Sequence, residues 1–262
     1  MNVHTSYLYN SNKRMKMTHF LLTRFNCPIG WWGIKDVGIS NDWLMHRFSL
    51  FESFCLPSVV AQNDQDFYWI IVIDERTPKR WLTRLENDVS MMMPRVIIKP
   101  VIKFSEATII NEIKNVTASE SDIIVTTRLD NDDAIARSYL FAIINICKTL
   151  TPIGNYVINF QSGCQLHRSG VYLFTPGYLN SFISVMSLHN GLITAFHRNH
   201  TKMDSVGTVI DIKADPNDPN SIMWMQVLHS KNAASHLRAN TKQIDKERIH
   251  NFSIVEKWES VL

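Results

Sequence analysis

The sequence lacks any apolar run long enough to cross a bilayer. Its longest, "FYWIIVI", is seven residues, against the roughly 20 that a spanning helix needs. A secretory leader is missing as well: the opening "MNVHTSYLYNSNKRMK" is polar and has no apolar centre. A cytoplasmic address is therefore expected, with peripheral contact at the inner membrane face left open. Cysteines are few and scattered. Cys27, Cys55, Cys147 and Cys164 form no C-x-x-C pair, which argues against zinc or redox chemistry and for buried free thiols in a reducing compartment. An excess of one charge is absent too: 27 Lys and Arg against 24 Asp and Glu leave +3, too little to indicate a nucleic-acid partner. The densest basic clusters, "NKRMK" and "DKERIH", read as solvated tails. There is no internal repeat and no low-complexity tract.

What is present is a long alternation. With 262 residues, 45% of them hydrophobic, the chain can bury a large core as one domain or as one domain with an appended lobe. "THFLLTRF" reads as a strand. "NDWLMHRFSLFESFCLPSVVAQ" follows with Leu44, Phe48, Phe51, Cys55 and Val59 at helical spacing and a kink expected near Pro57. "FYWIIVID" is a buried strand by its unbroken apolar run. A helix then opens with Thr77 as N-cap and Pro78 at its first position, "RVIIKPV" is a third strand, and Ser105 opens a third helix. "SDIIVTTRLD" is the fourth strand. Such alternation predicts an α/β fold, a single Rossmann-like and mostly parallel sheet flanked by helices. Ligands of such sheets bind beyond the carboxyl ends of the strands, here Thr23–Arg24, Asp74, Lys99–Pro100 and the stretch from Arg128 to Asp133.

After Asp133 the spacing of "AIARSYLFAIINICKTL" predicts a helix. A more β-rich half follows, with strands at "NYVINF", "GVYLF" and "SIMWMQVLH", the last ending in His229, and with turns at "QSG", "HRSG" and "TPG". The chain accordingly divides into a polar N-terminal extension (1–17), a nucleotide-type half (18–133), a second half of the same domain (134–234) and a C-terminal extension (235–262).

The fourth strand ends in three carboxylates within four residues, Asp130, Asp132 and Asp133. Two unit charges 4 Å apart repel by about 4 kcal/mol at an effective dielectric near 20, so the triplet needs solvent, protonation or a cation. One reading is an exposed acidic turn capping the next helix. The other is a D-x-D pair of hard oxygen ligands for Mg²⁺ or Mn²⁺, with substrate phosphates completing the shell and Arg128 beside it to grip a diphosphate. An EF-hand is excluded because the sixth loop position is not glycine.

The segments "HFLLTRFN", "RFSLFESFCLPSVVAQNDQDFYWIIVIDERTP", "TTRLDNDDAI" and "WMQVLHSKNAAS", in that order from about 19 to about 235, resemble a rhamnosyltransferase family of bacterial glycosyltransferases. The second also resembles the opening of glycosyltransferase family two. The resemblance implies a GT-A fold with a β-rich acceptor half, a nucleotide-diphosphate sugar donor, a glycan or similar hydroxyl acceptor, and a divalent cation, Mn²⁺ or Mg²⁺. It places Asp130 at the ribose or the metal and leaves Asp132 and Asp133 competing as direct metal ligands. It makes His229, shortly before Asn232, a candidate to close the metal shell, and it puts Asp74 at the base of the nucleotide, an assignment that stands beside a plain turn-capping role. Thr23 and Arg24 are expected at the same pocket. Trp31 and Trp32, in a Gly-flanked loop, are candidates near the donor. The Glu-Asp pair common in family two is absent from the second half, which leaves Asp204 as the nearest candidate for the base and Asp211 as a weaker one. The Gln-x-x-Arg-Trp motif of processive synthases is also missing, which favours transfer of a single sugar, rhamnose or another deoxyhexose. Two alternatives stand beside this: a metal-dependent phosphohydrolase of the haloacid dehalogenase type, and a binding module without turnover.

Overall fold

The first four apolar runs expected as strands, together with "NYVINF", lie in one sheet, whereas "GVYLF" and "SIMWMQVLH" fall in a second. In the computed structural model, which describes residues 15–28, 37–117, 123–215, 218–231, 236–238 and 241–262, the elements run β1 (Met17–Arg24), α1 (Asn41–Leu50), a π-helical turn (Phe51–Cys55), α2 (Leu56–Val60), β2 (Phe67–Asp74), α3 (Lys79–Ser90), β3 (Val96–Val101), α4 (Glu106–Val116) and β4 (Ile123–Arg128). They continue with β5 (Ala134–Ile135), α5 (Tyr139–Thr149), β6 (Tyr156–Phe160), β7 (Gly163–His167), β8 (Gly170–Phe174), β9 (Ser184–Leu188), β10 (Thr208–Ile212), β11 (Trp224–Val227) and β12 (Lys242–Ile244). The large sheet has the order β10-β6-β9-β4-β1-β2-β3. Pairings β1–β2, β1–β4, β2–β3 and β6–β10 are parallel, and β9 alone runs against its neighbours β4 and β6. The expected α/β class, a mostly parallel sheet flanked by helices, is what the chain forms.

Both faces of this sheet are covered, and the strands' two-residue period sorts the core. Leu21, Trp69, Ile71 and Val125 pack with Phe48, Phe51, Trp81, Leu85, Tyr139 and Ile143 under α1, α3 and α5. Phe20, Leu22, Ile70, Val72 and Ile124 pack with Ile109 and Ile113 of α4 and with Leu192 and Phe196. The chain goes from β1 outward through β2 to β3, then returns across α4 to lay β4 on the other edge of β1. Strand order therefore reverses between β1 and β4, which opens a crevice at their carboxyl ends.

Three local expectations shift. The helix expected from Ala134 begins only at Tyr139, because Ala134 and Ile135 pair antiparallel with Met225 and Trp224 of β11. Thr77 does not cap α3: its hydroxyl donates to Asp74 O at 2.6 Å, and Pro78 takes the cap position. At Pro57 the helix changes geometry instead of breaking, with a π turn between α1 and α2. Proline has no N–H to give the carbonyl four residues back, that of Ser53, and the N–H of Val255 donates to it at 3.1 Å. The segment after 235 thus fastens onto the core; it also contributes β12, paired with β8, and the buried Ile249, Phe252 and Trp258. A second sheet, β12-β8-β7-β11-β5, holds the β-rich half against the crevice. Among the described residues no helix is long and apolar enough to cross a membrane.

Candidate functional site

The turn that follows β4 carries the acidic triplet to the switch point. The N–H of Asp133 donates to Asp130 O at 3.2 Å, and Asn131 Nδ2 donates to Phe25 O at 2.9 Å, tying the turn to the end of β1. A cleft of about 1090 Å³ opens there. Its wall includes Arg24, Asp74, Arg128, Asp130, Asp132 and Asp133 from the sheet, and Gln165, Trp224 and Gln226 from the second sheet. Another opening of about 1120 Å³ lies between the end of β3 and α4, where Lys99 bonds Glu112 at 2.6 Å. It holds none of the triplet.

Each carboxylate of the triplet is met differently. Asp130, half-buried, receives Arg128 Nη2 at 3.1 Å on one oxygen and faces Arg24 Nη2 at 3.6 Å with the other. Burial works to raise its pKa, but Arg128 and then Arg24 hold it below the usual carboxylate range. Asp132 Oδ2 accepts from Arg47 Nη1 at 2.6 Å and from His229 Nε2 at 2.9 Å. Against the cost of burial, these two partners keep its carboxyl well below the ordinary value. Asp133 has no cationic neighbour at such range among the described residues: it accepts the N–H of Val227 at 2.9 Å, and burial beside Asp132 and Asp130 pushes its pKa far up. The triplet is thus neither a solvated turn nor a helix cap. It is a charge-compensated cluster in which one member has a neutral environment.

Arg47 and His46, both from α1, are the residues that sequence reasoning missed. They lie on a helix whose apolar spacing was the only legible signal, and their polar partners at the site are 80 or more residues away. Arg47 also donates to Asn131 Oδ1 at 3.2 Å and stacks over Trp43, 4.8 Å from the ring centroid. His46 Nε2 lies 3.3 Å from His229 Nδ1, which also receives the Lys231 N–H at 3.2 Å. Burial and the nearby His229 press the His46 pKa down to about 4, so this imidazole is neutral near pH 7. Phe196, likewise unforeseen, has Arg24 4.6 Å and Arg128 5.0 Å from its ring centroid, so the ring supports both guanidinium groups that meet Asp130.

The remaining expected residues are spread more widely. Asp74 lines the cleft, yet its carboxylate is taken by its own turn: Arg76 N and Nη2 each donate to it at 2.8 Å. Its N–H donates to Asn26 Oδ1 at 3.1 Å. Thr23 is fully buried under the helices and accepts from Trp69 Nε1 at 2.9 Å; it is not in the cleft wall. Asp204 is exposed on the 3-10 turn His200–Ser205 and is not in the wall either. Asp211 accepts from Asn159 Nδ2 at 2.7 Å. Trp31, Trp32 and Asn232 lie outside the described residues. The four cysteines are free and buried, as expected.

A mostly parallel sheet with an acidic cluster at its switch point, one antiparallel strand beside the cluster's own strand, and a small second sheet beside the cleft make an α/β protein whose cleft lies where strand order reverses. The chain belongs to the family described as "Putative rhamnosyl transferase", whose model matches residues 37–241. No curated protein matches the chain. Among solved structures it is similar to S. aureus TarS 1–349, at 11% identity and a TM-score of 0.44, over 81% of this chain and 60% of that one. It is also similar to a cytidylyltransferase from Leptospira borgpetersenii, at 11% identity and a TM-score of 0.41, over 78% and 79% of the two chains. The chain therefore spans 60% of the length of that TarS fragment.

Proposed function

We propose that this transferase moves a single sugar, rhamnose or another deoxyhexose, from a nucleotide-diphosphate donor to a hydroxyl of a glycan or similar acceptor. The observation that carries the reading is the pairing of Arg24 and Arg128 around Asp130 at the switch point of the sheet. A diphosphate entering the cleft meets two aligned guanidinium groups, and Asp130 is positioned to accept from a ribose hydroxyl as well as from the arginines. Gln226, backed by Gln165, lines the same cleft from the second sheet, an amide wall suited to an acceptor sugar.

The triplet is also a candidate site for Mn²⁺ or Mg²⁺. Among the described residues no three His, Cys, Asp or Glu side chains form a cage. Asp132 Oδ2 and His229 Nε2, 2.9 Å apart, would form one edge of a shell whose other positions are waters and donor oxygens once the ring changes tautomer, because Nδ1 now accepts the Lys231 N–H and Nε2 carries the hydrogen. Asp132 and His229 would hold the ion, and Arg47, now on the same carboxylate oxygen, would yield its place. When bound, the ion would act as a Lewis acid at the leaving diphosphate. Asp133 is the weaker candidate, because its environment favours the neutral acid. The chain's own part is to hold the donor: Arg24 and Arg128 neutralise the charge that grows as the sugar departs.

The phosphohydrolase alternative is not favoured. The family is one of transferases, and both oxygens of Asp130 face arginines instead of standing free to attack a phosphate. Thermal shift across nucleoside diphosphates and their sugars, with and without Mn²⁺, tests the transfer reading. Stabilisation by one base, strengthened by the metal, is expected; no response to any nucleotide, with phosphate released from simple esters, would overturn it.

A further inference from the structure

We propose that His197, oriented by Glu106, is the catalytic base that takes the proton of the acceptor hydroxyl; the assignment rests on the transfer reading above. Glu106, the first residue of α4, is held at one oxygen by Thr194, whose N–H and hydroxyl donate to Oε1 at 2.8 and 3.0 Å. Its other oxygen, Oε2, lies 2.7 Å from His197 Nδ1. A carboxylate that accepts from Nδ1–H leaves the lone pair on Nε2, and His197 lines the cleft with its side chain one-third exposed.

The carrier of this dyad is fixed at the reacting end of the site. Ala195 N–H donates to Thr126 Oγ1 of β4 at 2.9 Å. Phe196, the residue before His197, packs against both Arg24 and Arg128, the pair on Asp130. His200 and the aspartates are less suited. His200 is pushed down to about 4 by burial and by the nearby Arg128, and Asp204 is outside the wall. The carboxylates of Asp74, Asp130, Asp132 and Asp133 are already engaged by arginine, histidine or backbone donors. The charged groups around the dyad are Glu106 itself, the adjacent Arg198, and, across Phe196, Arg24, Arg128 and Asp130.

The step balances as a single displacement. The acceptor O–H proton passes to His197 Nε2 as the oxygen bonds to the anomeric carbon. The bond from that carbon to the diphosphate oxygen breaks, and the nucleoside diphosphate leaves with the electron pair. Glu106 stabilises the imidazolium until water takes the proton. Inversion at the anomeric carbon follows.

The test is His197→Ala, assayed by release of nucleoside diphosphate from the UDP-, GDP- and dTDP-sugars with water as the acceptor, alongside calorimetry of the nucleoside diphosphates. The base assignment requires a fall in kcat on the order of 10²–10⁴-fold, nucleoside diphosphate affinity within about twofold of the parent, and partial recovery when imidazole is added. Glu106→Gln is expected to retain donor binding and to lose kcat about tenfold or more, as a positioning residue. Turnover of His197→Ala within threefold of the parent overturns the assignment, as does a loss that imidazole does not restore. A parent chain that binds no nucleoside diphosphate at all overturns the donor reading itself, an outcome distinct from the other two.

Discussion

Replacing Gly163 with alanine tests how tightly the second sheet is built against the cleft. A Cβ at this position would lie 2.1 Å from the Trp224 ring, with two further ring atoms at 2.3 and 2.4 Å. The ring has nowhere to go: it stacks on Phe182 at 4.9 Å, meets Phe174 edge-on at 5.9 Å, and donates from Nε1 to Phe160 O at 2.7 Å. Overpacking a filled core costs about 1–3 kcal/mol, and loss of the buried indole hydrogen bond adds about 1 kcal/mol. The sum, about 2–4 kcal/mol, corresponds to a fall in Tm of roughly 4–16 °C for a chain of this size. Thermal unfolding followed by circular dichroism reads it, with Gly154→Ala as the control, since nothing lies within 4 Å of the Cβ there. Near-UV dichroism should change with Gly163→Ala, because Trp224 is completely enclosed. A Tm within about 2 °C of the parent would refute the packing argument, and with it the rigid seating of β11 that lets Val227 hold Asp133.

Acid should destabilise the protein through His19. Burial drives its pKa down to about 3, and it bonds Thr127 Oγ1 at 2.7 Å, so protonation favours the unfolded chain. Its contribution is complete above about pH 6.5 and is lost as the pH falls toward 3, at up to about 1.4 kcal/mol per unit; urea unfolding should show this slope, and His19→Gln should flatten it. The four cysteines should be inert to thiol reagents in the native protein and all react in denaturant, since burial pushes Cys27 and Cys147 up to about 12 and Cys55 and Cys164 well above the ordinary thiol range. Rapid native labelling of two or more would contradict the core as described.

What the sequence disclosed depended on where each element finds its partners. β2 was legible to the residue because an unbroken apolar run has no other place than a sheet buried on both faces. Ser105 was legible because a cap is local; its side chain does accept the Thr108 N–H. Ala134 and Ile135 were misread because two apolar residues fit a helix as well as a strand, and the ladder that decides the matter comes from β11, about 90 residues on. β9 went unseen because its serines look solvent-facing, whereas Ser184 and Ser187 are buried and Ser184 bonds Thr127 across the pair. In the site, the carboxylates stood out as charges that needed compensation, but the identity of the compensating groups did not. Arg128 was adjacent in sequence. Arg47 and His46 came from a helix whose polar face carries no local mark of a partner.

The central claim is that Arg24 and Arg128, aligned on Asp130, form the seat of a donor diphosphate. The most direct measurement is calorimetric titration of the best-binding nucleoside diphosphate into the parent chain, Arg24→Gln and Arg128→Gln, with thermal unfolding to show that each variant is folded. Each charged hydrogen bond is worth about 1.5–3 kcal/mol, so each variant should bind at least tenfold more weakly, with the corresponding nucleoside losing little. Equal affinity in the parent and both folded variants would place the diphosphate elsewhere and contradict the account.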